Sequence, residues 1–229
     1  MRIAIIGGHG KIALELHPLL SEAGHEVDAI IRNPDQQAAI AERGANPVVA
    51  DVQSLSVEEL TELLRGHDVV VWSAGAGGGD PERTFAVDRD AAIRTMDAAV
   101  AAGVPRYVIV SYLGATTDHG VPEDNSFFAY AEAKAAADEH LRGTDLAWTI
   151  VAPGALSLEA PTGHLLVVGY GPDDADRDPS VVGQSQVSRA DVARVLAAVV
   201  ERDDLGGVMI EFVNGPTPIA EALDAAAQR

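Results

Sequence analysis

Tyr130 and Lys134 lie four residues apart within Phe128–Arg142, a stretch with helical patterning, so their side chains share one face, one turn apart. A phenol with a pKa of about 10 is a poor acid or base near neutrality. An ammonium beside it favours the phenolate and lowers that pKa, which would make the pair a proton donor and acceptor. The same ammonium can hydrogen-bond a cofactor ribose. Spacing alone fits an amphipathic surface helix with a packed tyrosine equally well, so the pair gains meaning only from the elements that precede it.

The chain opens with such an element. Ile3-Ala-Ile-Ile-Gly7-Gly-His-Gly10-Lys-Ile-Ala13 is an apolar run ending in glycines, with a helix pattern directly after it. Gly7 can take backbone angles closed to other residues. Gly10 lets a phosphate approach the backbone, and Ala13 lets the helix pack on the strand. The free N–H groups at that helix start, around Lys11 and Ile12, would hold a pyrophosphate. The spacing is Gly-x-x-Gly-x-x-Ala rather than the commoner G-x-G-x-x-G. His9 sits in the turn, where it either meets a phosphate or faces solvent.

Strand-like and helix-like segments alternate from there on. Strands are expected at Arg2–Ile6, Glu26–Ile31, Pro47–Ala50, Asp68–Trp72, Tyr107–Ser111, Ala147–Val151, His164–Val168 and Val208–Val213. Helices are expected at Lys11–Ala23, Asp35–Arg43, Val57–Arg65, Arg83–Ala102, Phe128–Arg142, Arg189–Glu201 and Ile219–Ala227, with Ser188 capping the sixth and Gly103 ending the fourth. Strands such as Val69-Val70-Val71 lack polar alternation, as expected when helices cover both faces. The order predicts an α/β fold: a doubly wound parallel sheet of Rossmann type, one domain over residues 1–229 with a small C-terminal extension. Gly169–Gln186, rich in aspartate, reads as a flexible loop and a candidate lid.

Ligands on such sheets bind at the carboxyl ends of the strands. Arg32 follows the second strand, where an NAD site would usually carry an acid. An arginine there suits a 2′-phosphate, so NADP is the expected cofactor, with NAD the alternative; an ordinary exposed arginine would read the same. Asp51 and Val52 follow the third strand, placed either for an adenine amino group and ring or as a turn. Ala74 and Gly75 follow the fourth, small enough for ribose and phosphate to lie against the backbone, and Gly77–Gly79 reads as flexible. Ser111 and Tyr112 follow the fifth. Pro153 and Gly154 follow the sixth, carrying the backbone past a nicotinamide ring.

Composition excludes several function classes. Thirty-five acidic against 16 basic residues give a net charge of −19, which repels nucleic acid. The absence of cysteine rules out disulfides and thiolate chemistry and fits a reducing cytoplasm. No apolar run is long enough to span a bilayer, and no leader is expected at the N-terminus. The seven histidines form no metal pair at short helical spacing, so no metal is expected. A Gly-x-Ser-x-Gly elbow is absent. The expected partner is a small-molecule substrate, and the chain a monomer or homodimer, with Asp90–Ala102 read as core or dimer surface.

Taken in order, Gly7-x-x-Gly10-x-x-Ala13, Arg32, Asp51, Tyr130-x-x-x-Lys134 and Thr149-Ile-Val-Ala-Pro-Gly154 resemble the atypical short-chain dehydrogenase/reductases. The likeness is greatest to their small NAD(P)H-binding branch, which includes sugar-epimerase-like proteins and relatives of flavin and biliverdin reductases. Ser188-Arg-Ala-Asp-Val-Ala193 and Asn214-Gly-Pro-Thr-Pro-Ile-Ala-Glu-Ala-Leu223 resemble stretches of that branch, so the likeness covers essentially the whole chain. It implies an NADPH-dependent oxidoreductase of a small carbonyl or alcohol, with Tyr130 as acid–base, Lys134 on the nicotinamide ribose and Ser111 orienting the substrate oxygen. An epimerase using the same parts is a variant, and a cofactor-binding regulator or redox sensor with little turnover is the alternative. The family's hydroxyl position falls on Ser111 or its neighbour Tyr112. Ala152 stands where relatives often carry arginine. Only residues 155–229 follow Gly154, too few for a nucleotide-sugar region.

Overall fold

The first strand shows why this chain builds a buried parallel sheet. In the strand Arg2–Ile6, Ile3 and Ile5 face one core, while Ala4 and Ile6 face the other, and all four are fully buried. A strand covered on both sides has no use for polar alternation. A computed structural model describes residues 1–77, 79–174 and 186–229. Its strands are β1 (Arg2–Ile6), β2 (Glu26–Ile31), β3 (Asn46–Val49), β4 (Val69–Trp72), β5 (Arg106–Val110), β6 (Ala147–Pro153), β7 (Ala155–Ser157), β8 (His164–Gly169), β9 (Gln186–Ser188), β10 (Val208–Asn214) and β11 (Thr217–Pro218). The helices are α1 (Lys11–Glu22), α2 (Gln37–Ala41), α3 (Val57–Leu64), α4 (Pro81–Thr84), α5 (Ala92–Ala102), α6 (Phe128–Arg142), α7 (Arg189–Val200) and α8 (Ile219–Ala226).

Among the described residues, nine strands form one sheet in the order β11-β8-β10-β6-β5-β4-β1-β2-β3. The seven from β10 to β3 are parallel, so the doubly wound Rossmann architecture expected from the sequence is present. The edge differs from an all-parallel expectation: β8 runs antiparallel to β10, and β11 antiparallel to β8. The short strands β7 and β9 pair with each other in a separate two-stranded sheet. Helices α1, α7 and α8 cover one face, and α3, α5 and α6 the other.

Local chemistry sets the boundaries. Ser56 and Glu59 form a reciprocal capping box at the start of α3. Ser188 caps α7 by accepting from the Asp191 amide. The buried Asp191 carboxylate in turn accepts from the amides of Thr162 and Gly163, at 2.7 and 2.8 Å. The Ser188–Ala193 stretch thus ties the β7–β8 connection to a helix start.

The expected helix Arg83–Ala102 is not one helix. It divides into α4, a π-helical segment Phe85–Ala91, and α5. The expected fifth strand stops one residue earlier, at Val110, leaving Ser111 just beyond it. Of the loop expected at Gly169–Gln186, Gly169 belongs to β8 and Gln186 to β9, and residues 175–185, on which the lid expectation falls, lie outside the described residues.

Candidate functional site

The order in which the chain adds strands reverses between β1 and β4, two parallel neighbours, and this is the switch point at which such folds bind ligands. The turn after β1 is shaped by close approach. Gly7 has φ +83°, and a Cβ there would sit 2.6 Å from the Ala74 Cα, so no side chain fits. A Cβ on Gly8 would fall 2.7 Å from that of Ala29. The Gly7 and Gly8 amides donate to the Ile30 carbonyl, and His17 Nε2 lies 2.7 Å from the Gly8 oxygen beneath them.

Gly10 is the N-cap of α1 and offers no side-chain cap, and the first turn holds no acid. The first-turn amides therefore find no partner within the helix and none from a cap, at the positive end of its dipole. A pyrophosphate fits this cradle, since every feature that would exclude it (a Cβ, a capping carboxylate) is missing.

A cleft of about 320 Å³ opens from this turn across the strand ends. Gly7, Gly10, Arg32, Asp51, Val52, Ala74 and Gly75, all expected at a cofactor site, line it, as does His9. Asp51 serves also as a turn residue, its Oδ1 accepting from the Gln53 amide at 3.1 Å. Lys11 and Ile12 stand at the first turn of α1 but do not line the cleft. Gln36 and Arg83 line it without having been singled out in the sequence. The Arg83 Nε is buried with no hydrogen-bond partner among the described residues. Its place on α4 was hidden while the segment read as one long helix.

The remaining expected residues gather at the end of β5. Lys134, fully buried, donates from Nζ to the Val110 carbonyl at 2.6 Å. Ser111 Oγ donates to Oδ2 of Asp138 in a very short hydrogen bond. Tyr112 packs its ring against Phe127 and Tyr130, with centroids 5.3 and 5.4 Å away. Both candidate hydroxyl residues after β5 thus face α6, Ser111 through Asp138 and Tyr112 through Tyr130. Pro153 is buried at the end of β6, and its carbonyl accepts from Leu113. Neither Lys134, Ser111 nor Pro153 lines the 320 Å³ cleft.

The electrostatics of this group overturn one expectation. The Tyr130 phenol is not lowered by Lys134. Burial, then the charges of Asp88 and Asp138, push it above its ordinary value. Two buried carboxyls flank the lysine. Asp88, on the π-helical segment, accepts from the Ala76 amide at 2.9 Å, and burial raises its pKa against the pull of Lys134. Asp138 is pushed up to about 6 by burial, against the opposing pulls of Lys134, the Ser111 hydrogen bond and Arg142. Asp138 extends the Tyr130–Lys134 stripe by one more turn, a spacing visible in the sequence; Asp88 arrives from another element and is not.

A glycine-lined cleft at the switch point of a doubly wound sheet, open to a helix start without a cap, defines a Rossmann-type dinucleotide-binding protein. Residues 7–203 match the NAD(P)H-binding family, and the chain belongs to it. Its cofactor is a nicotinamide dinucleotide. It is 32% identical to the uncharacterized sugar epimerase YhfK of Bacillus subtilis over 97% of this chain and 99% of that one. A Bacillus halodurans protein provisionally assigned as an NAD-dependent epimerase/dehydratase superposes with a TM-score of 0.87 at 32% identity, over 98% and 99% of the two chains. The oxidoreductase ylbE of Lactococcus lactis superposes with a TM-score of 0.84 at 27% identity, over 100% and 98%. These relatives agree with the resemblance drawn from the sequence. Among the described residues, no group of three or more His, Asp or Glu side chains is placed to hold a metal ion. No helix among them is long and apolar enough to cross a membrane.

Proposed function

We propose that the protein is a cytoplasmic, single-domain, NADPH-dependent oxidoreductase that reduces a small carbonyl compound. The observation that carries this reading is the placement of Tyr130, Lys134 and Ser111 together at the end of β5, on the sheet that bears the cofactor cleft. The relative from Lactococcus lactis, named an oxidoreductase, supports it. When bound, the reduced nicotinamide supplies a hydride. The amides of the Gly7–Ile12 turn hold the pyrophosphate. Arg32, directly after β2, takes the 2′-phosphate, with Arg83 as a second cation in the cleft. Asp51 and Val52 take the adenine, Ala74 and Gly75 the ribose and phosphate beside β4. Lys134 has donors beyond the one used on Val110 and turns them to the nicotinamide ribose. Pro153 borders the ring. Ser111 holds the substrate oxygen, and Tyr130, kept protonated by its surroundings, would give that oxygen its proton as the hydride reaches the carbonyl carbon, taking a replacement from solvent afterwards.

Two measurements test this. NADPH consumption over a panel of carbonyls, quinones and flavins should reveal at least one substrate, and no turnover on any member would refute the enzyme reading. In calorimetric titrations, Arg32→Ala should weaken NADPH by about tenfold to 100-fold, one to two charge-assisted hydrogen bonds, while leaving NADH nearly unchanged. Tighter binding of NADH than NADPH by the unaltered protein would overturn the NADP assignment. A second reading, a cofactor-binding regulator with little turnover, is favoured by one observation: the Ser111 hydroxyl is already engaged by Asp138.

A further inference from the structure

We propose that Asp138 is a positioning residue that sets which way the Ser111 hydroxyl points, so that Ser111 donates to a substrate carbonyl only while Asp138 carries a proton. The inference rests on the oxidoreductase reading and adds to it a residue and a direction of reaction. Ser111 and Asp138 are buried, at 3% and 2% exposure, and share one short hydrogen bond. A serine hydroxyl has a single hydrogen. With Asp138 ionised, that hydrogen is committed to the carboxylate, and Ser111 shows the substrate only lone pairs. It can then accept from an alcohol but cannot support a carbonyl oxygen gaining negative charge. With Asp138 protonated, the carboxyl donates to Oγ, and the Ser111 hydrogen is released toward the substrate.

The carboxyl has a route by which to exchange its proton. Its other oxygen, Oδ1, is buried without a hydrogen-bond partner among the described residues. The residue lines a second, polar cavity of about 250 Å³, shared with Thr116, Thr117, Glu139, Arg142 and Asp173. The charged and titratable groups around Asp138 come from every side. Lys134, Glu139, Arg142 and Tyr130 lie on its own helix. Asp88, from the π-helical segment, acts on the neighbouring Lys134 and Tyr130, and Asp173, from the chain after β8, lines the cavity. The two cations favour ionisation, yet burial outweighs them and holds the carboxyl at about 6, within reach of ordinary pH. Tyr130 offers no substitute switch in that range, since its phenol is raised.

The first test needs neither substrate nor cofactor. In protein labelled with ¹³C at aspartate carboxyls, the Asp138 resonance should titrate near pH 6, and in Ser111→Ala the midpoint should move higher, because a donor to the carboxylate is gone. A midpoint in the ordinary aspartate range, or one indifferent to Ser111, would overturn the proposal. The second test uses the holoenzyme on the best substrate of the panel. The reduction rate kcat/KM should fall roughly 100-fold between about pH 5 and about pH 8, the worth of one oxyanion donor. In Asp138→Asn, which keeps a hydrogen-bonding partner for Ser111 but cannot titrate, that pH dependence should vanish. A variant retaining the parent profile would overturn the proposal while leaving the oxidoreductase reading intact. Absence of turnover by the parent on every substrate would remove that reading, and the proposal with it.

Discussion

Gly10→Asp should leave the protein folded and reduce its affinity for NADPH by at least about 100-fold, roughly 2.7 kcal/mol. Gly10 is the N-cap of α1, with φ −64° and ψ 152°, a conformation open to any residue. Aspartate is a strong N-cap, better than glycine by a few tenths of a kcal/mol, and its charge suits the helix dipole. The added Cβ would stand 3.1 Å from the Gly7 carbonyl, a tight contact that offsets part of that gain. Stability should therefore change by less than about 1 kcal/mol. Binding should suffer twice over, because the carboxylate occupies the amides meant for the pyrophosphate and repels its charge. Gly10→Ser, which caps without charge, should lose less. Urea denaturation and NADPH titration on the same samples check both halves. If the aspartate variant bound NADPH like the parent, the pyrophosphate could not lie at this turn.

Lys134→Met should destabilise the fold by about 3 kcal/mol at neutral pH, the scale of removing one partner from a buried charged group. Methionine nearly fills the same volume, so little of the loss comes from a cavity. It comes from the Val110 carbonyl left without its donor and from Asp88 and Asp138 left without the cation between them. The sign of the pH dependence follows. A carboxyl whose folded pKa lies above its unfolded value contributes stability that is present below the unfolded value and lost as pH rises through the folded one. Asp138, at about 6 in the fold against about 3.9 unfolded, already has this sign in the parent protein. Removal of Lys134 raises both carboxyls further, so the deficit of the variant should shrink as pH falls from about 7 to about 5. Chemical denaturation at several pH values measures it, and a deficit independent of pH would show that Lys134 matters only as packing.

Most of the fold was legible because its signals are local. Apolar runs such as Val69–Val71 need both faces covered, Ser188 announces a helix start, and Gly103, at φ +72°, ends one. That these residues would share one cleft was legible for the same reason: Gly7, Arg32, Asp51 and Ala74 each follow a strand, and parallel strands deliver their ends to one edge. Strand direction is not written in periodicity, so β8 was expected as a strand but not as an antiparallel one, and β11, two residues long, is too short to carry a pattern. The state of Tyr130 was misjudged because spacing reports what shares a helix face, not what approaches it. Lys134 is four residues away in sequence, but its charge is answered by Asp88 from another element and by Asp138 a further turn along.

The π-helical segment Phe85–Ala91 carries a consequence for how this chain tolerates length changes. Hydrogen bonds reaching from i to i+5 insert one residue beyond the α-helical count, and one α-helical step is a rotation of about 100°. The side chains before the segment, Arg83 on the cleft among them, and those after it, such as the core residue Met96, thus occupy two angular registers joined by a fixed offset. Deleting one residue within the segment would let its bonds close to the α-helical i to i+4 and leave both sets near their places, whereas deleting one from the α-helical turns on either side would swing one set out of alignment with its target. The wide turn thus acts as a one-residue buffer, and a chain shorter by one at this point would carry the same cleft on an unbroken α-helix.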